Sequence, residues 1–266
     1  MSGEKNVNRY VAILSEVFKT HYKKGVTEFE FTRDEFATKA EELGIVLPKN
    51  LGDVLYSFRY RVDLPETIRG TARKGFEWFI IGAGRAKYLF KQLKPCAVLP
   101  RDGLVTVKVP DSTPEIINAY AQSDEQALLA KVRYNRLIDI FLGITTYSLQ
   151  NHMRTTVAGL GQIEIDEIYV GIDKHGRQYV IPVQAKGGND KHSLVQTLQD
   201  VMCCNERFPH LICRPVSAQF MKDNRIALFE LTFEDGEMQI VEERHYNLVS
   251  SGEISPEELK RYAMRQ

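Results

Sequence analysis

Four polar side chains stand at alternating positions in the segment QIEIDEIYVGIDKHGRQYVIPVQAKGG, which starts at Gln162. Two runs of alternating β-branched and aromatic residues flank the turn sequence DKHGR, the pattern of a hairpin. Folding the segment about His175 sets Asp166 opposite Gln184 and Glu164 opposite Lys186, and the two-residue period of a strand sends all four to one face. Charged groups among Ile163, Ile165, Ile168, Val180, Ile181 and Val183 need compensation, and Mg²⁺ supplies it with oxygen ligands. Here these are the Asp166 carboxylate, the Gln184 side-chain oxygen and the Ala185 carbonyl, with Glu164 as a further acid. Lys186, two residues from a metal ligand, can hold or help deprotonate the water that attacks phosphorus. Together these residues form a minimal phosphodiester hydrolysis site. The same quartet could instead be a metal-free, salt-bridged sheet face, Glu164 with Lys186 and Asp166 with Gln184, each pair contributing roughly 0.2–1 kcal/mol.

The flanking sequence supplies elements to hold such a hairpin. Thr113 and Pro114 read as an N-cap and first helical residue, and Ser123 with Gln126 opens a second helix through a capping box. That helix is expected to run unbroken through Leu128, Leu129, Val132, Leu137, Ile138 and Phe141, with Lys131, Arg133 and Arg136 on its flanks. Behind the hairpin come an amphipathic helix from Ser193 to Cys203, strands at Ala218 and Phe220 and from Arg225 to Phe233, and a capped terminal helix in SPEELKRYAMRQ.

An acidic strand around Asp166, a turn, and then VQAK ending in Gln184 and Lys186 resemble the PD-(D/E)XK nuclease superfamily. The form is a variant: Gln184 occupies the usual place of an Asp or Glu, and QxK is similar to the motif of Mrr-type restriction nucleases. The resemblance covers about residues 123 to 235, in an α-β-β-α-β order. It implies metal-dependent hydrolysis of DNA phosphodiesters, with Asp166 and Gln184 at the metal and Lys186 at the water. Family members often add an acid from the first helix and a polar residue from the helix after the lysine, for which Glu125 and Gln196 are the candidates. Replacing a ligand carboxylate by Gln184 removes a negative charge, and Glu164 is the acid expected to restore it.

The N-terminal third has a different texture. A helical period from Arg9 to Tyr22 precedes a short strand at Glu28 to Phe31. Thr32 and Glu35 then form a capping box for a helix ending near Gly44. A further helix places Leu51, Val54, Leu55 and Phe58 together, and two strands about GAGR follow, Phe76 to Ile81 and Ala86 to Phe90, which suits a helix-turn-helix with a β-wing. Its outward side would present Lys49, Asn50, Ser57, Arg59 and Arg61 to DNA, with Tyr56 and Tyr60 interleaved. A plain three-helix packing unit has the same pattern. The stretch from residue 92 to 114 concentrates four of the ten prolines, and it separates an expected winged-helix domain (1–95) from a nuclease-like domain (110–266).

Composition sets outer limits. Lys plus Arg and Asp plus Glu both number 35, so no global basic field points to nucleic acid, although a basic face and an acidic metal site can cancel in the sum. No apolar run approaches the roughly 18 residues of a membrane span, and a cytoplasmic location is expected. Cys96, Cys203, Cys204 and Cys213 lack CxxC spacing and read as reduced thiols. The histidines form no HxxxH or HNH-like arrangement, and neither GGNDK after Lys186 nor GAGRAK has the spacing of a nucleotide-binding loop. The expectation is therefore a two-domain α/β protein. A mixed sheet flanked by helices sits behind a winged helix, and the chain is a Mg²⁺-dependent, sequence-specific endonuclease of type II restriction character. It would act on double-stranded DNA as a homodimer, in a restriction system with a possible companion DNA methyltransferase. The rivals are a non-catalytic winged-helix regulator with a degenerate nuclease fold, and a repair nuclease that reads DNA structure.

Overall fold

A computed structural model describes residues 2–120, 125–187, 192–234 and 236–264, without the side chains of residues 2–8 and 222. Ser123 and the stretch 188–191 of the glycine-containing loop lie outside the described residues.

The chain begins with α1 (Ser2–His21), β1 (Glu28–Thr32), α2 (Arg33–Glu42), α3 (Leu51–Tyr60), α4 (Glu66–Arg69), β2 (Glu77–Gly82) and β3 (Lys87–Leu93). The expected capping box starts α2: Thr32 accepts from the Glu35 amide, and the Glu35 carboxylate accepts from the Thr32 amide. The helix ends at Leu43, with Gly44 next in the left-handed region at φ +65°. The strands form an antiparallel sheet in the order β1-β3-β2. Ile13, Phe18, Phe36, Leu55, Trp78 and Phe90 pack into one apolar cluster with this sheet.

The second part contains β4 (Thr106–Pro110), α5 (Glu115–Tyr120), α6 (Glu125–Tyr134), α7 (Leu137–Leu142), β5 (Thr145–Val157), β6 (Gly161–Ile172) and β7 (Gln178–Lys186). It continues through α8 (Leu194–Arg207), β8 (Ile212–Cys213), β9 (Val216–Phe220), β10 (Ile226–Glu234), β11 (Glu237–Val249) and α9 (Pro256–Ala263). Seven strands lie in the order β4-β11-β10-β9-β7-β6-β5, with β8 also paired to β7. The β7–β9, β7–β8 and β11–β4 pairs are parallel and the rest antiparallel. Helices α6 and α7 cover one face through Leu128, Leu137 and Phe141, which meet Ile181, Val183 and Leu228. The other face packs Ile165, Ile168 and Val180 against Leu194, Val195 and Cys203 of α8. The fold is α/β, a mixed sheet flanked by helices.

Three local expectations need correction. The single long helix before the hairpin is two helices, broken where Arg136 takes the left-handed conformation at φ +50°. Buried Asn135 explains the break: its side chain accepts from the Ser112 amide and donates to Thr113 Oγ1 and the Lys131 carbonyl, so its polar groups are satisfied only where the helix stops. Strand β5 enters between α7 and the hairpin, which makes the order α-α-β-β-β-α-β. Strand β11 follows β10 as a long partner.

The two parts share apolar contacts: Ile81, Leu93 and Val98 pack in the same cluster as Met153, Val157, Leu160 and Ile163 of the β5–β6 hairpin. Gly82 marks the closest approach, because a Cβ there would lie 2.0 Å from the Leu160 carbonyl oxygen. Gly82→Ala must push β2 away from the β5–β6 turn, and urea unfolding should register a loss of about 1–3 kcal/mol. Unchanged stability would show that the strand and the turn do not meet this tightly.

Candidate active site

The hairpin register is that expected from the sequence: Ile172 faces Gln178, Val170 faces Val180 and Glu167 faces Val183. Its turn is closed by Asp173, whose carboxylate accepts from the amides of His175 and Arg177 at 2.9 and 3.0 Å. The ladder stops at Glu167 and Val183. Beyond it, β7 continues beside β9, with Gln184 opposite Ser217 and Lys186 opposite Gln219, while β6 continues beside β5 alone. The strands separate at the residues expected to do chemistry.

Asp166 and Gln184 therefore sit at the mouth of a fork. The Ala185 amide donates to Asp166 Oδ2 at 2.9 Å, so Ala185 meets Asp166 through its N–H rather than its carbonyl. Burial pushes the Asp166 carboxyl above the ordinary carboxylate range, against the opposing pull of the Ala185 amide and the Lys186 charge. Gln184 is buried. Its Nε2 donates to Asp200 Oδ2 at 2.7 Å, whereas its Oε1 has no hydrogen-bond partner among the described residues. Lys186, with a side chain only 11% exposed, lies 3.7 Å from Glu125 Oε1 at the start of α6. The fork thus gathers Asp166, Gln184, Lys186 and Glu125 from four points in the sequence.

Glu164 is not part of that group in the expected way. It faces Arg154 on β5, whose Nη2 donates to its Oε1 at 3.1 Å, and His152 Nδ1 stands 3.6 Å away. The pairing with Lys186 fails because the β6–β7 ladder ends three residues earlier, and Glu164 takes its partners from the strand on its other side. The salt-bridged quartet is absent for the same reason. Gln196 lies half-buried in the first turn of α8, its amide donating to the N-cap Ser193. Among the described contacts it has no bond to Asp166, Gln184 or Lys186.

Behind the fork lie Asp200, which was not anticipated, and His192, which was expected in a solvated loop able to approach DNA and is instead held by two hydroxyls. Asp200 of α8 is buried against Gln184, and enclosure together with the nearby Asp166 charge holds its carboxyl well above its ordinary range. His192 bridges α8 to β9, with Nδ1 3.0 Å from Ser217 Oγ and Nε2 2.5 Å from Thr197 Oγ1. Desolvation, reinforced by Lys186, drops His192 from 6.5 to about 3. Both positions could be read from the sequence as polar residues near an amphipathic helix, but only the tertiary contacts give them partners.

The donor set suits a hard divalent cation: a carboxylate at Asp166 and an unpartnered amide oxygen at Gln184, with a lysine alongside. Among the described residues no three His, Cys, Asp or Glu side chains converge as a ligand group, so waters and substrate oxygens would complete the coordination.

The expected DNA face also divides. Lys49, Asn50 and Arg61 are exposed, and Arg61 lies over the Tyr56 ring. Ser57 Oγ instead donates to the Asp53 carbonyl within its helix. Arg59 does not face outward as expected: its Nε and Nη2 are buried without acceptors, and Nη2 would lie 3.3 Å from a Cβ at Gly82. Its neighbour Tyr60 donates to Gln199 Oε1 of α8. This end of α3 is occupied by packing against the second part of the chain.

His192 gives this arrangement a pH signature. In the folded chain it remains neutral between pH 6.5 and about 3, whereas in the unfolded chain it takes up a proton over that range. The unfolded state then binds more protons, so His192 stabilises the fold above pH 6.5 and that contribution is lost as pH falls, with a slope of up to about 1.4 kcal/mol per pH unit. His192→Gln should flatten this limb in denaturant titrations at pH 4, 5 and 6.5, and an unchanged slope would place the histidine in solvent.

No protein-family model, no curated protein and no solved structure matches this chain.

Proposed function

We propose that the chain is a Mg²⁺-dependent endodeoxyribonuclease with a PD-(D/E)XK-like core, in which Asp166, Gln184 and Lys186 form the hydrolytic site. The observation that carries this reading is the fork itself: a carboxylate and an unpartnered buried amide oxygen meet a nearly enclosed lysine where β6 and β7 part. An uncompensated buried acceptor costs about 1–3 kcal/mol, and a cation or its bound water relieves that cost. When bound, Mg²⁺ would polarise the scissile phosphate and neutralise charge building on its oxygens.

The chain's own groups do the rest. Asp166 is oriented by the Ala185 amide, and Gln184 Oε1 would be the second ligand. Lys186 orients the attacking water with its ammonium group; the water's proton passes to solvent as the new P–O bond forms, while the bond to the leaving 3′ or 5′ oxygen breaks and that oxygen takes up a proton from solvent. Glu125 holds the lysine from the α6 side. Glu164, paired with Arg154, has no part in this scheme.

Topology supports a DNA-reading role for the N-terminal part. The order helix, strand, three helices, strand, strand with a three-stranded antiparallel sheet is compatible with a winged helix that has one extra short helix, α4, before the wing. We assign phosphate contacts to Lys49 and Arg61, at opposite ends of α3, with Asn50 beside Lys49, and remove Arg59 from the contact set because its Nε and Nη2 are buried. Type II restriction character and action as a homodimer on double-stranded DNA complete the proposal.

No helix among the described residues is long and apolar enough to cross a membrane.

Purified protein incubated with plasmid and phage DNA should give discrete fragments with Mg²⁺ and none with EDTA. Asp166→Ala and Lys186→Ala should each lower the cleavage rate by about 10²-fold or more. Intact DNA throughout, with a gel shift that survives both substitutions, would establish the non-catalytic regulator instead. Lys49→Ala and Arg61→Ala should weaken binding across all sequences, each reducing the slope of log K against log salt by about 1. A slope unchanged by both would move the DNA to another face.

A further inference from the structure

We propose that Asp200 is the positioning residue for Gln184, fixing its amide so that Oε1, and not Nε2, faces the metal; this role rests on the nuclease reading above. A glutamine amide can be turned over with almost no change in shape, and the two orientations present opposite chemistry to a cation. Oxygen is a ligand for a hard divalent ion, whereas the NH₂ group repels it. A glutamine in a metal site therefore needs a partner that accepts from its nitrogen. Asp200 Oδ2 does so at 2.7 Å, leaving Gln184 Oε1 buried and unpartnered.

The surroundings hold that partner in place. Asp200 is 2% exposed on α8, which packs against β6 and β7 through Leu194, Val195 and Cys203. The helix is tied at its N-terminal side by His192, which links Thr197 to Ser217, the residue opposite Gln184 on β9. At Gln199, next to Asp200, it receives the Tyr60 hydroxyl from α3. A carboxylate on this framework cannot follow the amide if it turns, so the amide must conform to it. The arrangement also gives the amide at position 184 a use: its N–H is the donor that Asp200 Oδ2 accepts from, and a carboxylate there would have no N–H to offer.

Mn²⁺ binding by calorimetry tests this, with thermal unfolding run beside it to confirm that each variant is folded. Asp200→Leu should weaken Mn²⁺ binding about 10- to 100-fold, the usual effect of losing a residue that orients a metal ligand. Asp200→Asn, which keeps an acceptor of the same shape, should lose only a few-fold. Gln184→Glu alone should bind poorly because residue 184 then has no N–H to anchor it on Asp200 Oδ2, and Gln184→Glu with Asp200→Asn should recover binding, since the introduced asparagine amide can donate to the new carboxylate. Asp200→Leu with wild-type Mn²⁺ affinity, or a double variant no better than Gln184→Glu, would overturn the positioning role while leaving the nuclease reading intact. If the unmodified protein bound no Mn²⁺ and cut no DNA, the nuclease reading itself would fall and the role with it.

Discussion

Everything at the candidate site depends on where the β6–β7 ladder ends. Two strands that remained paired to Lys186 would satisfy each other's backbone groups and press their side chains into a continuous sheet face. Because pairing ends at Glu167 and Val183, the Ala185 amide turns to the Asp166 carboxylate instead of a β6 carbonyl. The separation has a source on each side. Strand β7 is held by its parallel ladder with β9 through Lys186, and β6 is drawn away with β5, whose shared turn sits against β2 at Gly82. Helices α6 and α8 cover the two faces of the sheet on either side of this gap.

The same division decides which charges are compensated. Glu167, adjacent to Asp166 in sequence, is fully buried, and its Oε1 is matched by Arg133 at 2.8 Å and Ser148 at 2.6 Å, while its Oε2 has no hydrogen-bond partner among the described residues. A buried carboxylate with a guanidinium and a hydroxyl is a structural arrangement, and one that breaks badly if a partner is lost. Asp166 has no guanidinium partner among the described residues: it accepts from the Ala185 amide, with the Lys186 and His152 charges nearby, and burial still pushes its carboxyl up. Perturbed groups of this kind, incompletely matched in a cleft, mark functional candidates.

Much of this was legible in the sequence where local chemistry decides structure. The Thr32–Glu35 and Ser255–Glu258 capping boxes and the hairpin register set by DKHGR all follow from neighbouring residues. Strand β5 was not legible because it is the outer strand of the sheet. Most of TTYSLQNHMRTTV is exposed, with only Thr146, Met153 and Val157 buried, so it lacks the alternation that identifies a half-buried strand. Missing β5 also led to the wrong partner for Glu164, since Arg154 is on that strand. Arg59 was placed outside for a similar reason: its position on α3 is polar by pattern, and only the tertiary packing that brings its guanidinium to Gly82 of β2 buries its Nε and Nη2. Asp200 reads as one more acid on an amphipathic helix until β7 is laid beneath it.

Gln184 now has a physical account. In the superfamily that the QxK motif resembles, a carboxylate usually stands at this place, and on charge alone its loss calls for a replacement acid among the other ligands. The structure offers a different balance. Asp166 brings one carboxylate to the fork and Lys186 one ammonium, while Asp200 stands behind Gln184 and contacts it through the amide nitrogen. A second ligand carboxylate would place three acids in an enclosed space with one lysine, and like charges without water between them raise one another's proton affinity. An amide avoids that conflict. It donates to the acid behind it and presents an oxygen in front, so one neutral residue links a buried carboxylate to the proposed cation without adding to the charge already there.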